Sequence, residues 1–499
     1  MVCRKTGSGI LIALSVSLLF LGIMTSCPLW PPWGTLTIMP EAQWVRTLST
    51  GESNSEFRGL AIDRQGNIYA AGCQYGYSTY TYGPGVSATG TASGANAVLV
   101  KYDSNGIALW ARTLYAGALA AWFMNVAVDG TGAVYAVGFQ YGSGAYSYGP
   151  GVSVAGPSAA WNAVLVKYDA QGNALWARSA VSGTGDSEFD GVAIDGSNHV
   201  YVAGYQSGTE VMSYGPGVTA AGTADYANVL LVRYDSDGNA QWARTQTAGT
   251  EAAWFSDVAV DRQGAVYAVG AQKGTGTYAF GNGVSVAGPC AYNSVLIVKY
   301  SSSGDAIWAR STLASTKDSM FHGIALDRTG NIYAVGAQKA TGTYTYGTDV
   351  SATGTASGDN AMIVKYSPAG KTLWARTLTE GSNTSWFFDV ATDSRGNVYA
   401  AGFQAGSGTY GYGDGVSATG TSSSSNVIMV KYSSLGRACG ARTATGGSLT
   451  TFYRSVAVDS LNRVYAAGYQ NGTEAHFYGT DVSASGSSIY ENAMLVMYR

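Results

Sequence analysis

The residues best suited to binding chemistry lie on either side of an aromatic residue that recurs once in each of seven similar segments. The recurring aromatic residues are Phe57, Phe123, Phe189, Phe255, Phe321, Phe387 and Tyr453. The residues before them are Glu56, Trp122, Glu188, Trp254, Met320, Trp386 and Phe452. The residues after them are Arg58, Met124, Asp190, Ser256, His322, Phe388 and Arg454. Variation at one position of a fixed repeat is expected of a recognition surface, and it is equally expected of an unconstrained loop.

The tryptophans in this set indicate what such a surface would bind. A flat, partly polar ring can stack on a sugar or cover the apolar side chains of a protein partner. We therefore predict a ligand-binding rim for a protein or a glycan. Its candidate residues are Trp122, Trp254, Trp386, Glu56, Glu188, Arg58, Asp190, His322 and Arg454.

Tyrosine pairs recur in a longer stretch of each segment and offer two interpretations. They include Tyr80, Tyr82, Tyr146, Tyr148, Tyr344, Tyr346, Tyr410 and Tyr412. If exposed, they would widen the rim; if buried, they would pack an extra hairpin onto the rest of the segment. We favour packing.

Catalysis has little support in the sequence. The three histidines, His199, His322 and His476, hold different positions in different segments, so they suggest neither metal-ligand spacing nor a partner for a nucleophile. Glu56 and Glu188 are candidates for a pair of carboxylates across the rim, but they lie two segments apart. We predict no catalytic residue and no cofactor, and keep a glycan-cleaving enzyme as an alternative.

Neither the recurring aspartates nor the cysteines predict a metal site. One Asp per segment precedes a tight turn, where its side chain can accept backbone N–H groups, and one carboxylate is too few for calcium. These residues are Asp63, Asp129, Asp195, Asp261, Asp327, Asp393 and Asp459. Cys73, Cys290 and Cys439 occupy unrelated positions, so we interpret them as buried apolar thiols and not as a disulfide framework or a metal site.

A W-x-R motif opens each segment and sets the period of the repeat. The tryptophans are Trp44, Trp110, Trp176, Trp242, Trp308 and Trp374, spaced 66 residues apart, and Gly440 holds the seventh place. The arginines are Arg46, Arg112, Arg178, Arg244, Arg310, Arg376 and Arg442. Because a single active site has no use for seven identical arginines, we interpret the motif as packing between repeats.

Two hairpins per segment are predicted to position these residues. In the first segment, residues 57–63 and 67–74 are joined by a tight turn, and residues 96–103 and 107–114 by another. The strands are apolar on both faces, as expected of four-stranded sheets packed between neighbours around an axis. The fold class is therefore an all-β, seven-bladed β-propeller of 66-residue repeats.

The two ends of the repeat array predict a closed ring. Residues 43–48 form a fourth strand with no third strand before them, and residues 493–499 form a third strand with no fourth after them. An open array would leave two raw edges, whereas pairing these fragments completes blade seven. The longer connections then share one face, which is where we expect the ligand, and the recurring aromatic residues become structural plugs near the channel mouth.

Two motifs recurring together resemble a known bacterial repeat family. GLAIDRQGNIYAAG and NAVLVKYDSNGIALWAR, with their later copies, are similar to the SBBP β-propeller repeat, over roughly residues 44 to 499. The resemblance implies an exported or envelope protein and no particular activity.

The N-terminus predicts export and lipid attachment. Residues 1–26 carry a basic start and an apolar run, and Met24 to Cys27 resemble a bacterial lipobox with Met24 in place of Leu. We predict a lipoprotein signal peptide over 1–26, lipidation of Cys27, a tether over 27–40 and the propeller over 41–499. Ordinary cleavage and an uncleaved anchor are the alternatives, the latter with an apolar run shorter than the ~20 residues a span needs.

Charge excludes one class of partner. The formal net charge is −3 and no basic run occurs beyond the signal, so a nucleic-acid binder is not expected. The sequence predicts a lipid-anchored module of the bacterial envelope that binds or scaffolds a protein or glycan and contacts the membrane only through its lipid. A purely structural envelope protein is the second alternative.

Overall fold

The computed structural model describes residues 39–117 and 119–499, which contain strands β1 to β42 and no helix. The predicted signal peptide, Cys27 and residues 27–38 of the predicted tether lie outside these residues. Within the described part of the chain, no helix is long and apolar enough to cross a lipid bilayer.

The first four blades each consist of four strands in chain order, with a small two-stranded hairpin between the second and third strands. Blade 1 contains β2 (Ser55–Ile62), β3 (Ile68–Tyr75), β6 (Ala95–Tyr102) and β7 (Ala108–Thr113), with hairpin β4 (Thr79–Gly83) and β5 (Val86–Thr89). Blade 2 contains β8 (Ala121–Val128), β9 (Val134–Tyr141), β12 (Trp161–Tyr168) and β13 (Ala174–Ser179), with hairpin β10 (Ala145–Gly149) and β11 (Val152–Ala155). Blade 3 contains β14 (Ser187–Ile194), β15 (Val200–Ser207), β18 (Ala227–Tyr234) and β19 (Ala240–Arg244), with hairpin β16 (Val211–Gly215) and β17 (Val218–Ala221). Blade 4 contains β20 (Ala253–Val260), β21 (Val266–Lys273), β24 (Asn293–Tyr300) and β25 (Ala306–Ser311), with hairpin β22 (Thr277–Ala279) and β23 (Ser285–Ala287).

The remaining blades follow the same plan, except that the outer strand of the last comes from the start of the propeller. Blade 5 contains β26 (Ser319–Leu326), β27 (Ile332–Lys339), β30 (Asp359–Tyr366) and β31 (Thr372–Thr377), with hairpin β28 (Thr343–Gly347) and β29 (Val350–Thr353). Blade 6 contains β32 (Ser385–Thr392), β33 (Val398–Ala405), β36 (Ser425–Tyr432) and β37 (Ala438–Thr443), with hairpin β34 (Thr409–Gly413) and β35 (Val416–Thr419). Blade 7 contains β38 (Thr451–Val458), β39 (Val464–Asn471), β42 (Glu491–Tyr498) and β1 (Ala42–Thr47), with hairpin β40 (Ala475–Gly479) and β41 (Val482–Ser485).

The predicted closure of the ring is confirmed. Strand β1 pairs antiparallel with β42, placing Trp44 opposite Met497 and Arg46 opposite Leu495. The seventh sheet therefore has the order β1-β42-β39-β38, and no blade is left with a raw third-strand edge. The fold is a seven-bladed β-propeller, as predicted.

The apolar strands are sandwiched between neighbouring blades. Strand β6 is buried at every residue and β3 at all but its last. The core between blades 7 and 1 joins Leu495 and Tyr465 to Phe57 and Val98. Phe57, predicted to be structural, is 1% exposed, with its ring 6.0 Å from that of Tyr82. Burial on both faces explains why these strands lack the alternation of a one-sided sheet.

Strand register divides the propeller into two faces. The face we call the turn face carries the tight turns, such as 63–67 and 103–107 in blade 1, because Ile62, Ile68, Tyr102 and Ala108 are successive partners across the sheet. The opposite face, called the loop face, carries the starts of the first and third strands. Asp63 accepts the N–H groups of Gln65 and Asn67, which confirms the predicted role of the turn aspartates.

The W-x-R motif ties each blade to the next. In blade 1, Arg112 donates from Nε to the carbonyl of Gly172 at 2.8 Å, and Trp110 donates to the carbonyl of Ala170 at 3.2 Å. Both acceptors lie in the third-to-fourth turn of blade 2. The motif is therefore packing between blades, as interpreted from its seven copies.

The seventh copy of the motif is completed by the segment before β1. A Cβ added at Gly440 would lie 2.6 Å from the Cβ of Met39, so Met39 occupies the space beside this glycine. Arg442 donates to the carbonyls of Met39 and Pro40, which replace the turn that blade 7 lacks. Met39 is 4% exposed, so the chain is already part of the core two residues before the predicted start at residue 41.

The hairpin tyrosines are buried, which decides between the two interpretations. Tyr80 and Tyr82 are at most 3% exposed. Tyr82 donates to Oε1 of Gln74 at 2.8 Å, and Gln74 donates to the carbonyl of Ala88 in the same hairpin. The tyrosines pack the hairpin onto its blade and do not widen the rim.

Candidate ligand-binding site at the channel mouth

A β-bulge near the start of every inner strand builds the site. Pairing in blade 1 passes from Phe57 to Gly59, so Arg58 has no partner in the ladder. A bulge leaves one residue unpaired and redirects its side chain. The same step occurs in all seven blades. We call these residues the bulge ring: Arg58, Met124, Asp190, Ser256, His322, Phe388 and Arg454.

The bulge ring lines one cavity of about 500 Å³ at the loop-face mouth of the central channel. Every member of the ring contributes to the wall, together with Glu188, Tyr205 and Trp254. This volume lies in the range of small-ligand pockets. A repeat position with six residue types in seven copies is thus the position facing the cavity.

A second layer of residues closes the channel behind the ring. Blades alternate between glycine and an amide or acid here: Gly59, Asn125, Gly191, Asp257, Gly323, Asp389 and Ser455. A Cβ at Gly59 would lie 2.6 Å from the Cα of Asn125, so the inner strands approach as closely as glycine allows. Asp389 accepts from Ser455 Oγ at 2.6 Å and from the N–H of Val456 in the next blade. Burial raises the pKa of both Asp257 and Asp389.

One carboxylate balances two arginines on the side of blades 7 and 1. Glu56 is 5% exposed, and its Oε1 lies 2.6 Å from Arg58 Nη2. Its Oε2 lies 3.5 Å from Nε of Arg454. The Arg454 guanidinium stacks 4.7 Å from the Phe388 ring and 5.2 Å from that of Phe452. Stacking and pairing together hold both cations at the cavity wall.

Two carboxyls share the opposite wall, in blade 3. Burial, and then the neighbouring Glu188, raises the pKa of Asp190 well above its usual value. Burial also raises the pKa of Glu188, and a hydrogen bond with Asp190 moderates the rise. Two interacting carboxyls of this kind titrate as a coupled pair. The carboxylate pair considered for Glu56 and Glu188 is therefore not the pairing found, because Glu56 is occupied by arginines and Glu188 by Asp190.

His322 contributes a neutral imidazole. Its ring lies 4.9 Å from Trp386 and 5.4 Å from Phe388. Burial, and then the charge of Arg454, lowers the pKa of His322 to about 4. Its Nε2 is buried and has no hydrogen-bond partner among the described residues. A ligand hydroxyl would satisfy this atom.

The three tryptophans of the predicted rim have different surroundings, and all are partly buried. Trp254 lines the cavity. Trp386 stands behind His322. Trp122 packs in an aromatic group with Phe139 at 5.0 Å and Trp161 at 5.7 Å. The predicted residues at the cavity wall are thus Arg58, Glu188, Asp190, Trp254, His322 and Arg454, with Glu56 bound to two of them.

The predicted rim left out several wall residues. Met124, Ser256 and Phe388 belong to the bulge ring, and their repeat position was the available signal. Tyr205 lies on the second strand directly opposite Glu188, at a position that also varies among blades. Finding it required the strand register. Within residues 39–117 and 119–499, no group of three or more His, Cys, Asp and Glu side chains is placed to hold a metal ion.

No protein-family model matches this chain. It is 25% identical over 365 residues to the "Uncharacterized WD repeat-containing protein L264" of Acanthamoeba polyphaga mimivirus, covering 61% of this chain and 25% of that protein. The chain thus matches about a quarter of that relative's length.

Two of the solved structures that are similar to this chain cover most of its length. "Crystal structure of polysaccharide lyase Uly1" has a TM-score of 0.48 and 8% identity, covering 92% of this chain and 99% of that one. "Structure of U3-55K" has a TM-score of 0.45 and 10% identity, covering 92% and 100%. None of these likenesses transfers an activity, and the SBBP resemblance stays a prediction. What the strand pairing establishes is a seven-bladed β-propeller, a fold typical of binding and scaffolding modules.

Proposed function

We propose that this protein is a non-catalytic binding module that holds a glycan at the channel mouth and is attached to the bacterial envelope through a lipid on Cys27. The observation that carries the proposal is the bulge ring. Seven copies of one repeat position converge on one cavity, and that position varies although the residue before it is Phe or Tyr in every blade. A constant scaffold with a varied wall is the arrangement expected of a recognition site.

The chemistry of the wall suits a neutral sugar. Arg58 and Arg454 pair with Glu56, and burial raises the pKa of both Glu188 and Asp190. Mixed donors and acceptors of this kind match the hydroxyl groups of a sugar. The indole of Trp254 offers a flat face to the apolar side of the ring. A protein segment that inserts a polar side chain is the second candidate, favoured by the aromatic groups around Trp122 and Trp386.

Carboxyl geometry favours binding over hydrolysis. Glycosidases that use two carboxyl groups hold them about 5 to 9.5 Å apart, one on each side of the bond to be cleaved. Glu188 and Asp190 hydrogen-bond to each other instead. Glu56 is engaged by two arginines. The attachment to the envelope rests on the sequence of residues 24–27 alone.

The proposal is tested by titrating the purified protein with a panel of neutral oligosaccharides by calorimetry. Trp254→Ala should weaken binding about 10-fold or more, because it removes a stacking surface. Tyr115→Ala is the matched control, since Tyr115 is 67% exposed and lies away from the cavity. Equal affinity of both variants would move the site elsewhere. Release of reducing ends during incubation would show an enzyme.

A further inference from the structure

Charged residues are divided unequally between the two faces. The basic residues of the loop face are Arg58, Lys273, Lys317, Lys339 and Arg454. The acidic residues of the same face are Glu52, Glu56, Asp186, Glu188, Asp190, Glu210, Asp225, Glu251, Asp257, Asp318, Asp359, Glu380, Asp389, Glu474 and Glu491. The loop face is therefore acidic.

The turn face has the opposite balance. Its basic residues are Arg46, Arg64, Lys101, Arg112, Lys167, Arg178, Arg233, Arg244, Arg262, Lys299, Arg310, Arg328, Lys365, Lys371, Arg376, Arg395, Lys431, Arg437, Arg442, Arg463 and Arg499. Its acidic residues, including three in the turns of the small hairpins, are Glu41, Asp63, Asp103, Asp129, Asp169, Asp195, Asp235, Asp237, Asp261, Asp305, Asp327, Asp349, Asp393, Asp414, Asp459 and Asp481. A small negative net charge thus conceals a basic face and an acidic face.

Several cations of the turn face are open to solvent and unpaired, in addition to the excess of basic over acidic residues on this face. Arg64, Arg262, Arg328 and Arg395 are exposed, and their guanidinium groups make no ion pair or hydrogen bond within the described chain. The turn aspartates are withdrawn: Asp63, for example, is 9% exposed and accepts backbone N–H groups. Many other arginines bond to backbone carbonyls, which does not cancel their charge. The potential that this face presents is therefore positive.

The preceding chain joins the propeller at this same face. Glu41 and Arg499 exchange both of their backbone hydrogen bonds, at 3.0 and 2.9 Å. Met39 lies against Gly440 at the turn-face end of blade 6. Met39, the first described residue and the one to which the sequence containing Cys27 is linked along the chain, thus lies at the basic face.

We infer that the turn face lies against the surface of an anionic phospholipid membrane, with the channel-mouth cavity directed away from the bilayer. Anionic leaflets attract basic residues close to their surface, and the effect adds over several side chains. The point at which the preceding chain joins the propeller and the excess of basic residues both lie at the turn face. The inference takes its direction of attachment from the proposed lipid on Cys27, but it does not depend on the glycan site on the opposite face.

Vesicle binding tests the charge component. Residues 39–499 close the ring among themselves, so the chain from residue 27 with Cys27→Ser keeps the whole propeller and lacks the lipid. It should sediment with vesicles of equal phosphatidylglycerol and phosphatidylcholine, and release as salt rises from about 0.1 to about 0.5 M. Arg64→Gln/Arg262→Gln/Arg328→Gln should bind about 10-fold or more weakly. The control Lys273→Gln/Lys317→Gln/Lys339→Gln removes the same charge from exposed loop-face positions and should change binding less than about 2-fold.

Two cysteines of the protein test the orientation. Of the three cysteines predicted to be buried only Cys73 is, because the other two lie outside the packed inner strands. Cys439 is exposed at the start of an outer strand near the turn face, and Cys290 is partly exposed in the loop before β24 on the loop face. Single-cysteine variants carrying an environment-sensitive dye should show a blue shift with these vesicles at Cys439 and none at Cys290. Equal weakening by both triple variants, a shift at Cys290 instead, or binding to an anionic polysaccharide but not to the vesicles would overturn the inference.

Discussion

Nε of Arg454 in blade 7 lies 3.5 Å from Oε2 of Glu56 in blade 1. Glu56 also pairs with Arg58 in its own strand, at 2.6 Å. One carboxylate therefore bridges the last and first blades at the wall of the cavity. We call the junction of blades 7 and 1 the seam of the ring. The contact of Glu56 with Arg454 belongs both to this seam and to the candidate site.

Replacing Glu56 by glutamine should destabilise the protein. The two arginines are about a quarter exposed and would lose their counter-charge, so we expect a loss of about 1 to 3 kcal/mol in the free energy of unfolding. Urea unfolding followed by tryptophan fluorescence measures it. Glu251→Gln is the control, because the Glu251–Lys273 pair is half exposed on both sides and should contribute less than about 0.5 kcal/mol.

Deleting residues 43–48 should open the ring. The deletion removes β1, exposes the edge of β42 and strips Leu495 and Met497 of a neighbour. The melting temperature is expected to fall sharply, with exposed edges promoting aggregation. A deletion variant that melts like the parent would contradict closure by β1.

The space at Gly440 gives a finer test of the seam. Met39→Ala should cost about 2 to 4 kcal/mol, since Met39 is 4% exposed and fills the space beside this glycine. Gly440→Ala should also destabilise, because the added Cβ must displace Met39. Chemical denaturation checks both. If Met39→Ala left stability unchanged, the segment before β1 would not be part of the core.

The carboxyl of Asp257 should make stability depend on pH. Burial, and then Asp389, raises its pKa in the folded protein, so the folded state holds a proton that the unfolded chain releases above about 3.9. Its contribution is present below that value and is lost as pH rises through the folded pKa. Wild type should therefore gain stability relative to Asp257→Asn between pH of about 7 and about 5.

The difference between the two proteins isolates this carboxyl from His322, whose lowered pKa acts in the opposite direction between about 6.5 and about 4. Asn125 occupies the equivalent position in blade 2, so an amide fits. Asp225→Asn, at an exposed loop-face position, is the control and should leave the profile as in wild type. A flat difference between wild type and Asp257→Asn would mean that Asp257 is ionised at both pH values.

The architecture could be predicted from the sequence because its causes are local and repeated. The 66-residue spacing of the W-x-R motif, with strand fragments at the two ends, already requires a ring. The seam at Met39 was not predicted, since nothing in the sequence of Gly440 says which distant residue fills its missing side chain.

The sequence predicted the repeat position at which the candidate site lies, but not which side chains line its cavity. Trp122, Trp254 and Trp386 hold one repeat position, yet only Trp254 of the three lines the cavity. Trp122 faces Phe139 across the sheet and packs against its ring at 5.0 Å, whereas Trp254 faces Ala271, which has no ring. Which side chain reaches the channel depends on the position of the bulge and on the residue opposite in the next strand. Neither can be known without the strand register.

Because Glu41 and Arg499 hydrogen-bond to each other, the chain could begin at any blade while the order of the blades around the ring stays the same. Each blade is fastened to the next by the arginine of its motif, with a tryptophan beside it in every blade but the sixth, and the two ends of the propeller already meet as neighbours in a sheet. A short linker from residue 499 to residue 39 and a new break at any other third-to-fourth turn would give a circular permutant that keeps Met39 and Pro40 and the contacts they make. The seam is then one of seven equivalent places to cut a continuous band, and the molecule can be reopened wherever an experiment needs a free end.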